Sequence, residues 1–152
     1  MVPRALLVTA ALAVVALVAV LALPSHGTSG PASTPASYPS CGKYWNRNQP
    51  ISATERRVNR CIVRAARAGR RARAVAALTT IEGDPIVNYV FVRGRRDILV
   101  LVDSTRDAFG AQAWHRWRCT RLVVVDGYLG WTNCVPRGTG KPAWLRPARL
   151  PG

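Results

Sequence analysis

The hydrophobic and polar positions of this chain change their period twice. From Ala5 to Leu23 they have none: nineteen consecutive residues carry no charge and show no polar face. A soluble amphipathic helix needs such a face, so a membrane-directed segment is expected there instead. Farther on, Val58, Cys61, Ile62 and Ala65 recur at helical spacing, with Arg56, Arg60, Arg64 and Arg67 on the opposite side. Ser52-Ala53-Thr54-Glu55 is a capping box that starts this helix, and Gly69 is placed to end it. Beyond Ala74 the pattern becomes alternating or β-branched and is broken at short intervals by turn residues, which predicts strands. About five are expected: Ala74 to Ile81, Ile86 to Val92, Asp97 to Val102, Arg118 to Val125 and Tyr128 to Cys134.

The short links Glu82-Gly83-Asp84-Pro85 and Arg93-Gly94-Arg95-Arg96 require antiparallel neighbours, and Asp126-Gly127 signals a type I′ hairpin. The predicted class is α+β, with one N-terminal amphipathic helix packed on a mainly antiparallel sheet. The first 27 residues read as an export signal or an N-terminal membrane anchor: a basic start at Arg4, the apolar run, then Pro24. The run is long enough to be retained, while Ser25 and Gly27 could serve a peptidase cutting before Thr28. Residues 28–40 have a linker's Pro, Ser, Thr and Ala composition, the domain is expected over 41–134, and 135–152 reads as a basic, Pro-rich, flexible tail.

Cys41, Cys61, Cys119 and Cys134 are the only four cysteines, and none belongs to a C-x-x-C pair. An even count in a small exported domain predicts two disulfides rather than a zinc site. Folding about Asp126-Gly127 brings Cys119 opposite Cys134, and Cys41 with Cys61 would tie an extended segment to the helix.

In the meander of the first three strands, Glu82 and Asp84 in one loop and Asp103 and Asp107 in another fall at the same end of the sheet. These four of seven carboxylates, with Arg106, are the candidate ligand-binding residues. They could hold a cation or a basic group, or accept hydrogen bonds from loop amides, as Asp at turns commonly does. The spacing matches no calcium loop.

Thr80-Ile81-Glu82-Gly83-Asp84-Pro85-Ile86, followed by Asp103-Ser104-Thr105-Arg106-Asp107-Ala108-Phe109-Gly110 and the later cysteine pair, resembles a family of small extracytoplasmic domains of unknown function in Gram-positive bacteria. The resemblance covers roughly Cys41 to Cys134. It implies the same four-cysteine frame, with a helix between the first two cysteines, and no known activity. Many such domains resemble lipoproteins, but here Cys41 follows Ser-Tyr-Pro-Ser rather than a lipobox.

Candidate chemistry is sparse. The histidines are His26, in the linker region, and His115, between Trp114 and Arg116, and no nucleophile motif, phosphate loop, cofactor motif or metal-ligand motif accompanies them. The loop carboxylates would suit glycoside hydrolysis only across a cleft. Charge carries more information: 22 basic residues against 7 acidic give +15, and the arginine face of the helix lacks acidic partners along it.

An extracytoplasmic, non-enzymatic binding or interaction module of the bacterial envelope is therefore expected, with an envelope protein or wall component as partner. The alternative is a cationic protein binding anionic lipid or wall polymer through Arg56, Arg60, Arg64 and Arg67. An envelope hydrolase using the loop carboxylates ranks third. Export disfavours nucleic acid as the partner.

Overall fold

The structure is a computed structural model that describes residues 37–146. The apolar run at 5–23, with its signal or anchor reading, lies outside the described residues, as does most of the linker and the end of the tail. Six strands form one sheet in sequential order: β1 (Ser40–Asn46), β2 (Ala72–Thr79), β3 (Pro85–Gly94), β4 (Asp97–Asp103), β5 (Trp114–Val125) and β6 (Tyr128–Thr139). Among the described residues one helix, α1 (Ala53–Arg67), connects β1 to β2. Those two strands pair in parallel and every later neighbour is antiparallel. The class is α+β, but the five strands expected are six, and the helix follows a strand instead of opening the domain.

Helix α1 begins as its sequence dictates. Ser52 Oγ accepts from Glu55 N at 3.2 Å, and Glu55 Oε2 accepts from Ser52 N at 2.7 Å, closing the capping box. It ends in a Schellman arrangement, with Arg70 N donating to Ala65 O and Gly69 N to Ala66 O, and Gly69 supplies the φ of +67° that this turn requires. Its inner face buries Val58, Ile62 and Val63 against Ala74, Ala76, Val90, Val92 and Val100 of the sheet. Each such side chain removed from water contributes roughly 1.5–3 kcal/mol. The alanines of β2 let the helix approach closely.

The disulfides pair as expected. Cys41 to Cys61 ties β1 to α1, and Cys119 to Cys134 joins β5 to β6. Asp126 (φ +51°) and Gly127 (φ +87°) form the hairpin turn. The hairpin lies along the helix: Asn59 Nδ2 donates to Gly127 O at 2.8 Å, and Leu122 and Leu129 enter the core.

The sheet also has a second apolar face, built by Val87, Tyr89 and Phe91 of β3 with Leu101 and Trp114. Leu145 is buried in it and the Trp144 ring meets Phe91 edge-on at 5.3 Å between centroids. Here the expected organisation is corrected at both ends. β6 runs through the expected boundary at Cys134 to Thr139, and the chain then returns across the sheet, because a half-exposed apolar face recruits any large apolar side chains within reach. At the other end Tyr38 is already buried and Pro39 O accepts from Arg73 N, so packing against the sheet includes residues before Cys41.

Candidate functional site

Two loops meet at the end of the sheet where β2 and β4 finish. In the first, Thr80 N donates to Asp84 O at 2.8 Å and Gly83 N to Thr80 O at 3.1 Å, with Gly83 at φ +98°, a conformation that disfavours a side chain. In the second, Asp103 Oδ1 accepts from Thr105 N and Oγ1 at 3.1 and 2.6 Å, and Asp107 Oδ1 accepts from Phe109 N and Gly110 N at 3.1 and 3.0 Å. A Cβ at Gly110 would collide with the Asp107 carboxylate, so that glycine is a condition of the turn. Asp84 Oδ2 then joins the two loops by accepting from Ala108 N at 2.8 Å.

Three of the four loop carboxylates thus serve backbone amides. Glu82 and Arg106 are exposed and form no hydrogen bond or ion pair among the described residues, so Arg106 does not neutralise its acidic neighbours. Among the described residues no three His, Cys, Asp or Glu side chains are grouped to hold a metal ion. Alongside Glu82 and Arg106 the braced loops present two large apolar side chains: Ile81 is 96 % exposed and Phe109 is 78 % exposed. Sequence reasoning selected the carboxylates and passed over these two. The available signal was an apolar residue inside each turn-forming run, where the chain has no inward side to offer it.

The helix arginines belong to a different element from these loops. Arg56, Arg60, Arg64 and Arg67 are all exposed, as is Arg57. Arg56 Nη1 donates to Ile51 O, yet none of them meets a carboxylate: the ion pairs among the described residues both involve Asp97, with Arg93 and Arg118. A shallow groove of about 520 Å³ runs between Arg60, Arg64 and Arg67 on the helix and Val124 on β5.

A buried polar group secures the start of the helix. Glu55, 4 % exposed, accepts from Asn46 Nδ2 at 2.8 Å in addition to its cap. Nearby, burial pushes the Tyr44 phenol up to about 12; the Asn59 amide opposes the shift and the Glu55 charge adds to it. This group joins β1, α1 and the hairpin. His115 sits on β5 opposite Val102, one register position from the Asp103–Trp114 pair.

No family model matches the chain, and no curated protein or solved structure matches it either.

Proposed function

We propose that the chain is an extracytoplasmic, non-enzymatic binding module of the cell envelope whose recognition site is the paired-loop end of the sheet. The observation that carries this reading is the display of Ile81 and Phe109 on two loops fastened to each other by Asp84. Large apolar side chains held rigidly in water lose little entropy on docking, and isolated aromatic anchors dominate many interfaces. In this reading the carboxylates shape the site, and Glu82 and Arg106 supply a polar rim. The partner is an envelope protein or wall component with an apolar pocket.

The two motifs behind the resemblance to small Gram-positive extracytoplasmic domains are the two loops that Asp84 joins. Two disulfides suit an oxidising compartment. The apolar run at 5–23 delivers the domain there, as a cleaved signal or as an anchor. An Ile81→Ser, Phe109→Ser variant tests the proposal. It should fold with stability within about 0.5 kcal/mol of the parent, as exposed substitutions do, and fail to retain an envelope partner. Retention equal to the parent would sink the reading.

A second reading has its own support in the unpaired arginines of α1, which suit anionic lipid or wall polymer. The two can coexist: the arginines hold the domain to the surface and the loops choose the partner.

A further inference from the structure

We infer that the sheet face opposite α1 carries a pocket for a phosphoryl group, built on Arg116 and Arg137. The cavity measures about 350 Å³ and lies between β4, β5 and the returning chain, with Leu99 and Leu101 as floor and Trp144 as wall. Arg93, Arg116, Arg118 and Arg137 all line it. Their placement follows from strand pairing. Leu99 stands opposite Arg118 and Leu101 opposite Arg116, so both arginines project on the side of the second apolar cluster. Arg137 joins them because the β5–β6 register slips between His115 and Trp117, which sets the stretch from Pro136 to Thr139 beside Arg116.

The charges do not balance. Asp97 takes Arg93 at 2.9 Å and Arg118 at 3.0 Å. One carboxylate against four guanidinium groups leaves 4 − 1 = 3 positive charges in excess. Arg137 has no hydrogen bond or ion pair among the described residues. Arg116 is the decisive group: its Nε is buried and meets no acceptor among the described residues. A buried donor without an acceptor is costly, and this one belongs to a side chain that lines the cavity. Gly138 leaves room for the guanidinium, since a Cβ there would come within 3.1 Å of Arg116 Nη2.

Phosphoryl chemistry fits better than a carboxylate. Several forked donors and a surplus of three charges match a tetrahedral anion with three or more acceptor oxygens, whereas two carboxylate oxygens would leave donors unmet. Trp144 offers an apolar surface for whatever carries the phosphoryl group. The pocket is separate from the paired loops and from the α1 arginines.

The test uses the full-length, disulfide-intact chain in an uncharged detergent at constant ionic strength, reading the arginine Nε–Hε signals by NMR as inorganic phosphate is added. The Arg116 signal should shift saturably. Arg137→Gln, at an exposed position, should weaken the response about tenfold, and Arg116→Lys, which keeps the charge but loses the fork, should weaken phosphate binding measured calorimetrically by a similar factor. Arg121→Gln, at an exposed position outside the pocket, should leave it unchanged. Competition by dihexanoyl phosphatidylglycerol but not glycerol phosphate would assign the phosphoryl group to a lipid headgroup, and the reverse to a soluble or polymeric ester. A response that stays linear overturns the proposal. So does acetate binding as tightly as phosphate, or unchanged affinity in both arginine variants.

Discussion

Replacing Asp84 by Ala removes the one carboxylate that joins the two loops while leaving each loop its own backbone bonds. The lost interaction is a 2.8 Å charge-assisted hydrogen bond to Ala108 N in a solvent-exposed setting. Such bonds are worth roughly 1.5–3 kcal/mol when protected, and exposure reduces this one to about 1 kcal/mol. The Thr80 N to Asp84 O bond at 2.8 Å and the Gly83 N to Thr80 O bond at 3.1 Å do not depend on the side chain, so the first turn should persist. For a domain of this size the melting temperature should fall by about 4 °C, with no change in denaturant slope. Amide exchange gives the local assay: Ala108 should exchange roughly fivefold faster, the equivalent of about 1 kcal/mol, while core amides such as Val90 follow only the global change. Asp84→Asn keeps an acceptor oxygen and should show about half the effect. Unaltered exchange at Ala108 would refute the loop tie. A global loss above roughly 3 kcal/mol would show that the carboxylate supports the fold rather than the site.

Three further outcomes are expected. Each disulfide closes a short loop, with sequence separations of 20 and 15, so the Cys41→Ser, Cys61→Ser pair and the Cys119→Ser, Cys134→Ser pair should each lose about 3 kcal/mol in equilibrium unfolding. The Tyr44 phenol is raised from 10.0 to about 12 in the folded state, so above pH 10 the unfolded chain sheds that proton first. Stability is therefore lost as pH rises from 10 through about 12, by roughly 3 kcal/mol in total, and Tyr44→Phe should flatten this part of the profile in urea titrations; an unchanged slope would contradict the assignment. Binding to vesicles containing anionic lipid should weaken steeply with salt, and Arg60→Gln with Arg64→Gln should make that dependence shallower; equal binding at low and high salt would rule out the arginine-face reading.

Where local chemistry decides the structure, the sequence was sufficient. Ser52 and Glu55 cap the helix because their own side chains reach the first-turn amides, and Asp126-Gly127 sets the hairpin, which in turn aligns Cys119 with Cys134. What escaped is decided by partners distant in the chain. Ser40–Asn46 contains Gly42 and Lys43 and alternates weakly, so its strand character comes from pairing in parallel with β2. Trp144 and Leu145 sit among prolines with no period, and only the apolar face of β3 explains why they pack. At the site, the carboxylates were legible because Asp in turns has a recognisable chemistry, but their role as supports for Ile81 and Phe109 depends on two loops meeting, which Ala108 N and Asp84 Oδ2 accomplish across 24 residues. Arg116 and Arg137 become neighbours only through a register slip that strand propensity does not foretell.

The most direct test of the recognition site is site-specific photocrosslinking in intact envelopes of the producing cell, with p-benzoylphenylalanine in place of Phe109 or, separately, of Arg60. The account predicts a discrete adduct from position 109 that disappears when Ile81→Ser is added, and only diffuse lipid or polymer labelling from position 60. No discrete adduct from position 109, or one that survives Ile81→Ser unchanged, would contradict it.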